Sequence, residues 1–291
     1  MKRVLRRSSQ TRFMLHNAES PMNNKRSLLQ TFLTPFGDIP ASATMVAGAI
    51  IWVVVFGAWA IATYGGHVAD MFLPVPDAVI RRAILLASDG TLFVHMWSSI
   101  KVVLLGFFVS ASIAVPLGLY MGTYKIVQAM LEPMVNFIRY LPVTSLVPLF
   151  ILWIGIGIEQ RVTVIFFGTF FSQLVMISDE ARAVSRDLLN ASYTLGTKRS
   201  EAVWHVIFPA ALPGIINTLR VTMGWAWTYL VVAELVAANS GLGYAIIKAQ
   251  RFLQTDKIFA GIILIGAIGL AMDQAFRLVH RLAFPWLHAR S

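Results

Sequence analysis

Long apolar runs alternate with short polar stretches along the whole chain after residue 44. A transmembrane α-helix needs roughly 20 consecutive apolar residues, and six runs approach or reach that length. The predicted spans are residues 45–64, 100–121, 135–156, 162–177, 214–237 and 258–279. The pattern therefore predicts an all-α membrane protein with six transmembrane helices. The transmembrane domain covers residues 45–288 and follows a polar, basic arm over residues 1–44.

Composition narrows the possible functions. The chain is 57% hydrophobic and 13% charged, which excludes an ordinary soluble domain. It has 0 cysteines, so disulfides, thiolate metal sites and cysteine nucleophiles are excluded. The sequence has no P-loop, no HExxH pair and no GxSxG motif. We therefore expect no catalytic residue, metal site or cofactor in this chain. Nucleic-acid binding is not expected either, because no soluble segment carries a basic stripe with interleaved aromatic residues.

Positive charge predicts the orientation. The formal net charge is +10, and cytoplasmic loops of membrane proteins carry an excess of lysine and arginine. With the N-terminus inside, fifteen lysines and arginines are cytoplasmic and six are outside, so we expect both termini in the cytoplasm. The arm could instead begin a signal peptide, with Ala60-Ile61-Ala62 as its cleavage site. The lengths of the arm and of the apolar run favour a retained first span.

The polar segment between the fourth and fifth spans, residues 187–213, is unusually long for a connection. Asp187 or Asn190 could cap a short helix that ends near Leu195, and Gly196 suits a left-handed helix terminus. Thr197 or Ser200 could cap a second helix, which would carry Ala202, Val203, Trp204 and Val206. Pro209 and Pro213 would then restart the chain into the fifth span. Spacing alone allows either docking into a soluble partner or a loop lying on the membrane surface.

Two further patterns concern packing. Small residues recur every four positions in the second span, and close helix packing within one subunit is favoured over packing across a dimer. They are Gly106, Ser110, Ala114, Gly118 and Gly122. On the outside, Pro74–Asp89 predicts an amphipathic interfacial helix with Asp77 as its N-cap, acting as a connector or as a partner contact.

Prolines, aromatic residues and buried charges suggest a translocation path. Arg139, Tyr140 and Pro142 could line it, although Pro142 could equally be an ordinary proline kink. An aromatic group in the fifth span precedes Glu234, which could face the path or pair with Lys101 or Lys248. That group is Trp225, Trp227 and Tyr229. Arg220 is expected to extend to the cytoplasmic surface, and Asp273 with Arg277 to form a helical ion pair.

The loop resembles the cytoplasmic motif of binding-protein-dependent ABC importer permeases, in which Glu-Ala-Ala is followed by Gly and then by Ile-x-Leu-Pro. The matching residues are Asn190-Ala191-Ser192, Gly196 and Val206-Ile207-Phe208-Pro209. Asn190 replaces the glutamate of the motif, so a salt bridge there is not carried over. Further stretches resemble the nitrate, sulfonate and taurine branch. They are Leu73–Pro76, Gly90–His95, Pro148–Gly157, Leu219-Arg220, Ala233–Leu235, Ser240–Gly243 and Phe284–Trp286.

This resemblance implies a type I ABC importer permease fold with a cytoplasmic coupling helix, located in a bacterial inner membrane. It implies a second copy of the permease, two cytoplasmic ATPase subunits that hold ATP and Mg²⁺, and a periplasmic binding protein. The implied coupling residues are Asn190, Ala191, Ser192, Leu195, Gly196, Lys198, Arg199, Trp204 and Pro209. The implied solute is a small anion such as a sulfonate, taurine or nitrate. An ion-gradient-driven secondary transporter is the alternative, although the chain shows no obvious internal repeat.

Overall fold

The computed structural model describes residues 40–199 and 201–288, and the regular structure within these ranges is helical. Most of the predicted arm, residues 1–39, lies outside the described residues. The helices are α1 (Ala41–Tyr64), α2 (Pro76–Ser88), α3 (Thr91–Thr123), α4 (Lys125–Arg139), α5 (Val143–Ile154), α6 (Ile158–Ala183), α7 (Arg186–Thr194), α8 (Phe208–Ala237), α9 (Leu242–Arg251), α10 (Thr255–Ala283) and α11 (Pro285–His288). The chain divides into two units between Trp59 and Ala60.

Five described helical segments are long and apolar enough to cross a membrane. They are Ser42–Tyr64, Thr91–Thr123, Ile158–Ala183, Val203–Val236 and Thr255–Ala283. The all-α membrane fold is therefore confirmed. The segments in α3, α6 and α10 extend beyond the predicted runs at both ends, because helices continue into the polar residues that flank an apolar run.

The third predicted span, residues 135–156, is not one straight helix. The chain bends by 96° between α4 and α5, which together can count as one broken span. The break falls at Leu141-Pro142, where the proline ring disfavours helical geometry for the residue before it. Pro142 has extended backbone angles and precedes the first residue of α5.

The stripe of small residues in α3 packs against α6 of the same chain, as expected. A Cβ added at Gly118 would lie 2.9 Å from Cγ2 of Ile177, and one added at Gly122 would lie 2.4 Å from the carbonyl oxygen of Ser178. Because such distances are too short for a side chain, the stripe fixes how closely the two helices approach.

A polar chain crosses this packed interface. The hydroxyl of Ser110 donates to Oε1 of Gln173 at 2.6 Å, and Nε2 of Gln173 donates to the hydroxyl of Thr222 at 3.2 Å. Thr222 in turn donates to the carbonyl oxygen of Thr218 at 2.9 Å. All four side chains are buried. This series of hydrogen bonds therefore joins α3, α6 and α8 at one point.

The predicted outer helix is α2, but Asp77 is not its N-cap. Val75 occupies the cap position, and Asp77 lies in the first turn. Its carboxylate accepts a hydrogen bond from the Tyr64 hydroxyl at 2.6 Å and also pairs with Arg81. The hydrogen bond from Tyr64 is the largest cause that lowers the pKa of Asp77. The Nε of Arg82 donates to Asp256 at 2.7 Å, which holds α2 against α10.

Candidate functional site

The loop between α6 and α8 begins with a short capped helix. Ser185 is the N-cap of α7, and its hydroxyl accepts a hydrogen bond from the backbone N–H of Asp187 at 3.2 Å. The expected caps, Asp187 and Asn190, are both wrong, because each lies inside the helix. Asp187 instead occupies the first turn, where its negative charge interacts favourably with the helix dipole.

Gly196 ends this helix in the left-handed conformation, as predicted, with φ of 94°. Its N–H donates to the carbonyl of Tyr193 at 3.0 Å, and the N–H of Thr197 donates to Ser192 at 3.1 Å. These two bonds form a Schellman motif. An added Cβ at Gly196 would meet no atom within 4 Å, so the constraint is on backbone geometry and not on space.

The second half of the loop differs from the expected separate helix. Residues Val203–Ile207 form a π-helical turn that continues directly into α8 at Phe208. Pro209 does not interrupt the helical structure before the fifth span. It lies in the first turn of α8, where the missing N–H of proline is tolerated. Pro213 lies inside the same helix. The expected cap Ser200 is outside the described residues, and no described contact identifies Thr197 as a cap.

The loop is tied to the helix bundle by Trp204. Its indole N–H donates to the hydroxyl of Tyr120 at 3.1 Å, and its ring meets Phe208 edge to face at 5.7 Å. On either side of Trp204, the buried side chains of Val203 and Ile207 pack into a cluster formed by residues of α3, α6 and α8. The loop is therefore packed directly against the ends of three helices.

Most of the coupling residues inferred from sequence are exposed on this loop. Leu195 is 87% exposed, although it is an apolar side chain at the end of a surface helix. Lys198 pairs with Glu201 at 3.8 Å at the surface, and the hydroxyl of the half-buried Ser192 donates to the carbonyl of Leu189 within α7. The remaining exposed members are Asn190, Ala191, Gly196, Arg199, Trp204 and Pro209.

The bend between α4 and α5 brings two predicted path residues together. Arg139 and Tyr229 line one small cavity of about 20 Å³, although 90 residues separate them in sequence. The guanidinium of Arg139 also lies 4.9 Å from the centre of the Tyr140 ring. Tyr140 and Pro142 are exposed at the bend.

The two tryptophans of α8 have different environments. Trp225 is 40% exposed, whereas Trp227 is only 5% exposed and belongs to a core cluster with Phe107, Ile165 and Leu230. Trp227 therefore packs in the core of the bundle. Trp225 remains on a free face of the bundle described here.

Glu234 is buried in a hydrogen-bonded clasp at the C-terminal end of α8. Its carboxylate accepts from the hydroxyl of Ser99 at 2.8 Å and from the backbone N–H of Gly243 at 2.7 Å. Its nearest cation is Arg161 at 3.9 Å, so the expected pairing with Lys101 or Lys248 is wrong. Arg161 lies on α6, which packs directly against α8.

The clasp explains why the Ala233–Leu235 and Ser240–Gly243 stretches occur together. Ser99 also accepts from the N–H of Leu242 at 2.8 Å, and Arg161 donates to the carbonyl of Ser240 at 3.1 Å. A Cβ at Gly241 would lie 2.1 Å from Oε1 of Glu234. Only glycine therefore lets the turn close over the carboxylate.

A cavity of about 470 Å³ opens beside the clasp. Of its polar lining residues Asn239, Tyr244, Lys248 and Arg251, sequence reasoning had named only Lys248, as a possible partner of Glu234. Tyr244, Lys248 and Arg251 recur at helical spacing on α9, and that periodicity is the signal that could have identified them. Lys248 and Arg251 give this cavity two positive charges, while the Glu234 carboxylate at its edge is paired with Arg161.

Arg220 does not extend alone to the surface. Its Nε donates to Oδ1 of Asp273, and the other carboxylate oxygen accepts from Nε of Arg277 at 2.8 Å. The expected Asp273–Arg277 pair is confirmed, but it is part of a cluster of three charges that joins α8 to α10. The pairing between helices was not readable from sequence because 53 residues separate Arg220 from Asp273.

Residues 114–284 match a family model described as a binding-protein-dependent transport system inner membrane component. A probable ABC transporter permease protein of Brucella melitensis is 36% identical over 230 residues, which cover 79% of this chain and 92% of that protein. The taurine transport system permease protein TauC of Escherichia coli is 32% identical over 233 residues, covering 78% and 84%.

Among solved structures, the chain is similar in fold to the inward-facing MetNI methionine ABC transporter. The TM-score is 0.58 at 20% identity, and the match covers 65% of this chain and 94% of that chain. The helical bundle is thus the type I ABC importer permease fold. The chain belongs to the family of binding-protein-dependent transport system inner membrane components and is an ABC transporter permease.

Proposed function

We propose that this permease passes a small sulfonate, such as taurine, from a periplasmic binding protein to the cytoplasm. Relatives named for taurine and aliphatic sulfonate transport are 32% and 34% identical to the chain, which supports this solute class. The observation that carries the proposal is the electropositive outer cavity beside the Glu234 clasp, where Lys248 and Arg251 offer charge to an anion.

ATP hydrolysis in this proposal belongs to two separate cytoplasmic ATPase subunits. Each would bind the exposed surface formed by α7 and the Gly196 turn on one of two permease copies. The Trp204–Tyr120 hydrogen bond and the buried side chains beside it support a mechanical role, because they connect that surface to α3, α6 and α8. ATPase closure would then change which side of the path is open.

The proposed topology places α7 and both termini in the cytoplasm and the α9 cavity outside. The charge distribution of the sequence supports it, since fifteen cytoplasmic lysines and arginines face six outside. The alternating directions of the long helices place the ends of α3 and α6 next to α7 on the same side. The protein would thus reside in a bacterial inner membrane.

The path is proposed to run from the outer cavity toward the bend at Arg139 and Tyr140. Tyr229 supports this route, because it lies on α8 between the cavity residue Glu234 and the cytoplasmic half of that helix, and it shares a small cavity with Arg139. Trp225 lies one helical turn further along α8 and is exposed. In a pair of permeases, these residues of the two copies would face each other.

The test is uptake of radiolabelled taurine into proteoliposomes that contain the full transporter and its binding protein. We expect uptake to require ATP and to fall about tenfold or more in Lys248→Gln/Arg251→Gln, since each lost charge-assisted contact weakens anion binding. Lys257→Gln removes a positive charge from the same face but not from the cavity, and uptake should stay within twofold of wild type.

Three outcomes would contradict parts of the proposal. Uptake driven by an ion gradient without ATP would exclude the ABC mechanism. ATP-dependent transport of another solute, with taurine ignored, would exclude the sulfonate assignment. Equal uptake in the cavity variant and in Lys257→Gln would remove the α9 cavity from the path.

A further inference from the structure

A second cationic pocket lies between α8 and α10, at the end of the bundle opposite the outer cavity. Its volume is about 270 Å³, and three of its lining residues are arginines. The lining consists of Ile216, Asn217, Arg220, Phe276, Arg277, His280 and Arg281. Neither the coupling loop nor the proposed path includes this pocket.

The pocket keeps a positive charge after its internal ion pairs are counted. Arg220 and Arg277 share the single carboxylate of Asp273. Arg281 lies one turn beyond Arg277 and outside that cluster, on an exposed part of α10. Three guanidinium groups against one carboxylate leave two net positive charges among these side chains. The planar guanidinium group of arginine matches the geometry of phosphate and can donate two parallel hydrogen bonds to its oxygens.

The surroundings fit an amphiphile better than a free ion. Beside Arg277 and Arg281, the surface of α10 carries large exposed apolar side chains. Leu278, Val279 and Leu282 are 57%, 52% and 73% exposed. Ile216 and Phe276 line the pocket itself. Guanidinium groups thus lie next to an apolar surface of a membrane-crossing helix, which is the arrangement that holds a phosphate with acyl chains below it.

An exposed tryptophan near the pocket fits a position at the depth of lipid headgroups. Trp286 follows α10 within a few residues of Arg281 and is 65% exposed. Tryptophan is enriched at the membrane–water interface, where its ring sits at the headgroup level. In the proposed topology this is the cytoplasmic leaflet, where basic pockets between transmembrane helices bind anionic headgroups.

We propose that the pocket formed by Arg220, Arg277 and Arg281 binds the phosphate group of an anionic phospholipid from the cytoplasmic leaflet. The lipid would hold the ends of α8 and α10 together by neutralising the positive charges of the arginines that Asp273 does not balance. This inference goes beyond the proposed transport function and does not depend on which solute is carried.

Native mass spectrometry of the full-length permease, titrated with phosphatidylglycerol, tests this site. We expect Arg281→Gln to weaken phosphatidylglycerol binding about tenfold, the loss typical of one charge-assisted hydrogen bond. Because Arg281 is not part of the Asp273 cluster, the fold should be kept. Arg186→Gln is the matched control. It removes one charge from the same face, on α7, and should change binding less than twofold.

Two further measurements separate the possible ligands. Phosphatidylcholine should bind weakly and equally to both variants, and an excess of inorganic phosphate should not displace phosphatidylglycerol. Displacement by inorganic phosphate would overturn the lipid assignment in favour of a free-phosphate site. Equal phosphatidylglycerol binding by Arg281→Gln and Arg186→Gln would exclude a specific site of either kind.

Discussion

The carboxylate of Glu234 and the guanidinium of Arg161 lie 3.9 Å apart near the C-terminal end of α8, and both side chains are buried. They come from α8 and α6 and hold the α8–α9 turn between them. Arg161 binds the carbonyl of Ser240, while Glu234 binds the N–H of Gly243. The pair therefore fixes the turn that leads into α9, where the cavity lysine and arginine lie.

We expect Glu234→Gln to lower the free energy of unfolding by about 1–3 kcal/mol, because a glutamine leaves Arg161 without its counter-charge and offers one acceptor oxygen where two are used. Thermal unfolding of the purified full-length protein measures this. Glu159→Gln, at an exposed position on α6, should stay within about 0.5 kcal/mol of wild type. Unchanged stability with abolished uptake would instead assign Glu234 to the path.

Gly196→Val should leave the permease in the membrane but separate ATP hydrolysis from uptake. A branched side chain strains the left-handed backbone by roughly 1–2 kcal/mol, which disturbs the Schellman motif at the end of α7. The measurement is the ratio of ATP hydrolysed to solute transported in proteoliposomes. Gly266→Ala is the control, since this glycine has open space for a Cβ and no positive φ. A wild-type ratio in Gly196→Val would contradict the coupling role.

Trp204→Phe tests the link between the loop and α3. Phenylalanine keeps an aromatic ring near Phe208 but loses the hydrogen bond to Tyr120, which contributes about 0.5–1.5 kcal/mol. We expect coupled transport to fall severalfold while insertion and assembly are kept. Tyr120→Phe removes the same bond from the other side. If the two single variants and the double variant lose the same amount, the bond carries the effect, whereas additive losses would exclude it.

Gln173→Leu should destabilise the bundle by about 0.6–1.7 kcal/mol, from the average to the maximum found for single hydrogen bonds between transmembrane helices. The cost is modest because Thr222 keeps its bond to the carbonyl of Thr218. Ser112→Ala is a suitable control, since the hydroxyl of Ser112 bonds only locally, to Val109, in the described contacts. Equal melting temperatures for the two variants would show that the polar chain does not hold α3, α6 and α8 together.

Much of the fold was predictable because the relevant signals are local. A run of apolar residues is long enough to cross a membrane whatever its neighbours are, so the sequence predicted the long helices. Gly196 is similar, because its left-handed conformation depends on the end of α7 and on the two hydrogen bonds there. The stripe from Gly106 to Gly122 also predicted a close helix contact, and the structure shows that the partner helix is α6.

The errors arose where local rules compete. Asp187, Asn190 and Ser185 are all good helix caps, and the sequence does not say which one lies at the boundary. Pro209 suggested a restart, but a proline in the first turn of α8 is compatible with continuous helix. The sequence predicted a distortion at Pro142 but not its size, since a proline can kink a span slightly or break it. The structure shows a bend of 96°.

The sequence by itself determined the membrane class, the long helices, the polar loop and the family resemblance, all of which depend on residue type and spacing along the chain. Only the tertiary structure decided which partner each of these charged side chains meets. Ser99 lies 135 residues from Glu234, and Arg220 lies 53 residues from Asp273. A charge buried among membrane helices must find a partner, but which partner it finds depends on how helices distant in sequence pack against each other.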